Sequence, residues 1–181
     1  MVRGAAELLR QRGYSGTGFR EVIEITGAPR GSIYHHFPDG KAQLAGDAVE
    51  YVGAIARDAI SGPFEDADPI GALRTFVALW RRDFERSGHR AGCPIAAVAV
   101  ENHDEAPQLL DAAASAFEQW RIAFADCLRR AGVAEGRSES LAVLVVSAVE
   151  GAIVLSRAER DSAPLLDVAG ELQRAIEVEL A

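Results

Sequence analysis

Apolar side chains recur along this chain at intervals of three and four residues, the spacing that lines one face of an α-helix, and little of it alternates as a strand would. The pattern predicts a first helix over residues 1–12, closed by Gly13. Two short helices follow, near 18–25 and 30–36, separated by Thr26-Gly27-Ala28-Pro29. A longer helix over about 40–60 runs into Ser61-Gly62-Pro63, a stop by glycine and proline. Asp68-Pro69 reads as an N-cap followed by proline at the first helical position. The helix it opens carries Leu73, Phe76, Val77, Trp80 and Phe84 on one stripe and ends at Ser87-Gly88. A short helix near 94–101, long ones near 106–131 and 137–159, and a last one near 164–180 complete the pattern. The expectation is an all-α fold of about nine helices in two lobes, residues 1–45 and 46–181, sharing the helix at 40–60.

The 33 alanines agree with a helical chain. The segment 137–159 is apolar almost all round, from Leu141 through Val149 to Leu155, so it is expected to be buried on several sides, by its own lobe or by a partner subunit. Glu150 splits its longest apolar run, so no membrane span is expected. Met1 to Glu7 has no apolar core of a leader, and two cysteines make no disulfide framework. A cytoplasmic protein is therefore expected.

Charge changes the picture. The whole chain carries −8, yet residues 1–45 carry +2 and the remainder −10. A basic leading segment on an acidic body suggests that the first lobe faces nucleic acid.

Within that lobe, the two short helices and their glycine-containing turn read as a helix-turn-helix. In the second of them Ile33 and Phe37 share a face able to pack on Val22 and Ile25. The other face presents Gly31, Ser32 and His35, flanked by Tyr34 and His36. Arg30 and Lys41 each sit at a helix N-terminus, where the macrodipole disfavours a cation. Gly31 inside a helix costs about 1 kcal/mol relative to alanine. Three locally unfavourable choices so close together suggest a purpose beyond folding, and a phosphate backbone supplies one. Arg30 and Lys41 as ordinary solvated charges remain the plain alternative. Adjacent His35 and His36 diverge by about 100° on a helix and so do not chelate a metal together.

Gly27, the run Arg30-Gly31-Ser32-Ile33-Tyr34-His35-His36-Phe37, Lys41 and Thr17 closely resemble the DNA-binding domain of the tetracycline-repressor (TetR) family of transcriptional regulators. The stretch from Cys93-Pro94-Ile95 through Glu101, with the helices of Trp120 and Glu150-Gly151, resembles the LmrA/YxaF-like branch. The resemblance implies an N-terminal three-helix helix-turn-helix domain and a C-terminal helical ligand-binding and dimerisation domain. It places the helix at 30–36 in the major groove, with Arg30 and Ser32 at base edges. Thr17, Tyr34, His36 and Lys41 would then hold the phosphates, with Gly31 letting the backbone approach and His35 at the groove floor or wall. Thr17 also reads as an N-cap. Pro29 stands where many relatives have a capping Ser or Thr.

For the second lobe the resemblance implies a homodimer through about residues 137–180 and a small-molecule effector between the lobes. Candidates for the effector are Trp80, Phe84, Val98, Phe117, Trp120 and Phe124, with Asn102 and Glu150 as polar anchors; aromatics at helical spacing are more often a plain core. Cys93 at a helix start is a redox candidate or a small buried hydrophobe. No cofactor, metal or enzymatic activity is expected, since no Ser-His-Asp order, phosphate loop or HExxH occurs. The implied function is a dimeric repressor that leaves a palindromic double-stranded DNA operator when a small apolar ligand binds. The alternative is a small-molecule-sensing helical dimer acting through a protein partner without DNA binding.

Overall fold

A computed structural model describes residues 1–62, 67–101 and 106–181. Its described residues form nine helices and no strand. They are α1 (Val2–Arg12), α2 (Phe19–Thr26), α3 (Arg30–His36), α4 (Gly40–Ser61), α5 (Pro69–Arg86), α6 (Pro94–Val100), α7 (Gln108–Arg130), α8 (Glu135–Glu159) and α9 (Ala163–Leu180). The helices divide between two compact units, residues 1–54 with 92–116 and residues 55–91 with 117–181; α4 and α7 each supply part of both.

In the first unit α1 packs on α2 and α6. It buries Ala5, Ala6, Leu8 and Leu9, and the same unit buries Val22 of α2 and Ile33 of α3. The segment around α6 is tied to α1 by the backbone as well, since Gly92 N–H donates to the Arg10 carbonyl at 2.8 Å. Cys93 caps α6, its Sγ accepting from Ala96 N–H at 3.5 Å, and is itself buried.

In the second unit α5 starts as its sequence dictates: Asp68 Oδ1 accepts from Gly71 N–H at 2.8 Å with Pro69 in the first turn. Helix α9 packs against both α8 and α5. It buries Leu165, Leu172 and Ile176, and Arg137 near the start of α8 pairs with Glu179 near the end of α9 at 2.8 Å, so the two run antiparallel. Arg74 of α5 donates to Gln173 of α9 at 3.1 Å. Helix α8 is long and apolar enough to cross a membrane by length and composition alone. It nevertheless buries Leu141, Ala142, Val145, Val149 and Ala152 inside the unit, as a core helix does. Burial is on one side only. Val143, Leu144, Val154 and Leu155 stay exposed on α8, as do Leu166 and Val178 on α9.

Candidate nucleic-acid interface

Eight residues of α2 and seven of α3 are too few to be stable alone, so tertiary contacts must fix them. Their joint is short because Gly27 takes the left-handed conformation (φ 66°) and closes α2 through its N–H to the Ile23 carbonyl. Pro29, at φ −59°, then sets the direction of α3. Val22, Ile33 and Phe37 point inward. Phe19 wedges between the two helices, its ring edge-on to Tyr34 at 5.3 Å and tilted against Phe37 at 6.5 Å.

Two expectations are corrected here. Ile25 does not join that core: it is 51% exposed, lying beside Gly4 of α1. A two-turn helix offers one inward position, and Val22 holds it. Thr17 does not cap α2, whose N-cap is Gly18. Thr17 is instead buried, and its hydroxyl donates to the Gly13 carbonyl at 2.8 Å, bracing the turn after α1 from inside.

With its core satisfied by Ile33, α3 leaves nearly everything else in solvent. Arg30, Gly31, Tyr34, His35 and His36 are exposed and Ser32 is half-buried. Tyr34 is 66% exposed although aromatic, held upright by Phe19. A Cβ added to Gly31 would meet nothing within 4 Å, so no packing demands glycine there. Arg30 and Tyr34 line a surface cleft of about 600 Å³ together with Arg20, Ile23 and Glu24 of α2. Arg20 was not among the residues singled out from sequence. Its position three and four residues before Ile23 and Glu24, on the outer stripe of a helix-turn-helix, is the signal that finds it.

Lys41, in the first turn of α4, is half-buried with its Nζ 4.1 Å from the centroid of the Tyr14 ring. Burial pushes its ammonium pKa down from the ordinary lysine range, against the opposing pull of the Glu101 and Glu21 carboxylates.

The effector candidates divide. Phe76, which the sequence placed only on the stripe of α5, gathers Trp80, Trp120 and Phe124 around it at 5.9, 5.4 and 5.4 Å, all edge-on. Phe117 adds a further edge to Trp120 at 5.4 Å. Trp80 is buried, yet its indole N–H has no acceptor among the described residues. Phe84 sets its ring against His89, Val98 is buried in the first unit, and Glu150 sits half-buried on α8. Asn102 lies outside the described residues.

Residues 2–48 match the family model for bacterial regulatory proteins of the tetR family. Residues 69–171 match that for the C-terminal domain of the LmrA/YxaF-like transcriptional regulators. An HTH-type transcriptional regulator of Mycobacterium tuberculosis (strain H37Rv) is 38% identical over 99% of this chain and 94% of its own. The HTH-type transcriptional regulator LmrA of Bacillus subtilis is 32% identical over 93% and 90%. Among solved structures, the regulatory protein TetR from Rhodobacter sphaeroides superimposes with a TM-score of 0.82 at 26% identity, covering 96% of this chain and 95% of that one.

Proposed function

Because the chain belongs to the tetR family of bacterial regulatory proteins, with a C-terminal domain of the LmrA/YxaF-like kind, we propose that it is a homodimeric repressor released from a palindromic operator by a small apolar ligand. Residues 1–45 read the DNA and residues 46–181 dimerise and receive the ligand. The observation that carries the reading is α3, a helix anchored by one buried residue that holds cationic, hydroxyl and aromatic groups outward.

In this reading Arg30 and Ser32 meet base edges in the major groove, arginine pairing with guanine through two donors. Gly31 lets the backbone approach, Tyr34, His36 and Lys41 fix the register on phosphates, and His35 faces the groove wall. Arg20 joins them from the far side of the cleft it shares with Arg30. Thr17 contributes through the turn it braces. An α3 from each protomer reads one half-site, so the two-fold axis of the protein becomes the palindrome of the DNA.

The exposed aliphatic stripe of α8 and the outward residues of α9 supply the dimer contact, with Ser147 and Gly151 letting the helices approach closely. The aromatic cluster about Phe76 borders the effector site. An unmet indole N–H costs about 1–3 kcal/mol when buried, which favours a ligand offering Trp80 a hydrogen-bond acceptor. The ligand prefers one conformer, operator the other, and each weakens the other by the same factor. Such a protein works in the cytoplasm, where the DNA is.

Fluorescence anisotropy on the DNA upstream of its own coding sequence, with random DNA as competitor and a salt titration, tests the proposal. Tight, salt-dependent and sequence-selective binding is expected. Equal, weak binding to every DNA overturns it.

A further inference from the structure

Glu101 ends α6, directly before residues 102–105, yet its carboxylate is spent on the other end of the first unit. Oε1 accepts from Tyr14 N–H at 2.6 Å, and Oε2 accepts from Ser15 N–H at 3.0 Å and from the Ser15 hydroxyl at 2.7 Å. Three donors of one turn thus converge on one carboxylate from 86 residues away. Charge-assisted bonds of this kind are roughly twice as strong as neutral ones.

The location is otherwise unfavourable for an anion. Glu101 lies at the C-terminal end of α6 and meets the chain just beyond the C-terminal end of α1, and both helix dipoles disfavour negative charge there. Gly13 makes the contact feasible. Its φ is 70°, and a Cβ there would collide with Glu101 Oε1. The glycine that the sequence presents as a plain helix stop is therefore also the space the carboxylate occupies.

What the clamp holds is informative. The turn carries Tyr14, whose ring lies under the Lys41 ammonium, and the Glu101 charge itself acts on that ammonium. A chain of contact runs from the end of α6 through the 14–15 turn to the chain's only lysine, at the first turn of α4.

We infer that Glu101 is a positioning residue for DNA binding, fixing the Tyr14–Ser15 turn so that the Tyr14 ring aims Lys41 at the phosphate backbone. The inference rests on the DNA-binding reading above. It makes the C-terminal end of α6 a place from which operator affinity is set without any direct contact to DNA. Sign separates it from simple electrostatics. Loss of a nearby negative charge by itself tightens binding to a polyanion, whereas loss of the aim on Lys41 weakens it.

The test compares Glu101→Ala, Glu101→Gln, Lys41→Ala and the Glu101→Ala/Lys41→Ala double variant, each checked by thermal melting. Because the chain has a single lysine, reductive methylation with a carbon-13 reagent labels only Lys41 and the chain's amino terminus. The Lys41 resonance then reports on the amine without DNA. Glu101→Ala should weaken operator binding roughly tenfold and lower the slope of affinity against salt by about one, as losing one phosphate contact does. Glu101→Gln, which keeps an acceptor oxygen, should recover part of the affinity, and the Lys41 resonance should move and titrate at lower pH in both variants. In the Lys41→Ala background Glu101→Ala should cost nothing more. Tighter binding by Glu101→Ala, an equal loss in the Lys41→Ala background, or an unmoved Lys41 resonance overturns the inference. Wild-type protein that binds all DNA alike removes the reading beneath it, and a Lys41 resonance that still moves marks that failure as the function's and not the clamp's.

Discussion

Helices α3 and α8 both leave much of their surface in solvent, with opposite chemistry. Seven-residue α3 buries Ile33 alone and exposes arginine, tyrosine and histidines. Twenty-five-residue α8 buries nine residues and still exposes Val143, Leu144, Val154 and Leu155. Burial in the single chain explains neither remainder. A polar and cationic remainder suits a hydrated polyanion, and an aliphatic one suits another protein surface. The two remainders differ as the proposed function requires, which assigns DNA to α3 and a second copy of the chain to α8.

An aspartate on the exposed α8 face is the most disruptive single change. Val154→Asp should weaken self-association by about 3 kcal/mol or more, since a charge would be buried at the contact. Sedimentation should show dimers for the wild type and monomers for the variant, with operator binding lost alongside. Unchanged assembly would assign the exposed stripe to some other role.

Adjacent residues of α3 sharpen the contrast within one helix. Ile33→Ala removes a fully buried side chain and should cost about 2–5 kcal/mol in urea unfolding. Tyr34→Ala loses an edge contact to Phe19 and should cost about 1 kcal/mol or less of stability, but should weaken operator binding. Arg30→Ala is expected to leave folding unchanged, to cost about 1–3 kcal/mol of operator affinity and to relax the preference at one base pair. Selection of binding sites from a randomised pool reads that relaxation directly.

Much of this was legible in the sequence, and what was not has a common cause. Helix ends marked by Gly13, Gly27, Asp68-Pro69 and Ser87-Gly88 fall where local chemistry puts them, because caps and stops act within one turn. The outward set on α3 was legible for the same reason: periodicity over seven residues separates Ile33 from Tyr34. Ile25 was misread because a short helix is placed by neighbours distant in sequence, here Gly4, and Thr17 because α2 begins one residue later than its cap chemistry suggests, leaving its hydroxyl to the nearby Gly13 carbonyl. Arg20 was passed over because the cationic and aromatic residues it shares the cleft with, Arg30 and Tyr34, lie on another helix. The Glu101 clamp was illegible altogether, joining residues 86 and 87 positions apart. In α8 the pattern indicated burial on several sides without saying which side a single chain would leave open.

Gly31 carries a last consequence. Space is open where its side chain would stand, so alanine there should fit and stabilise the helix by about 1 kcal/mol. If the backbone of α3 must come close to DNA, the same methyl group stands in the way. Selection for heat resistance and selection for repression would then drive this one position in opposite directions. A population evolved for thermostability alone should drift to alanine at residue 31, gaining melting temperature while losing operator affinity.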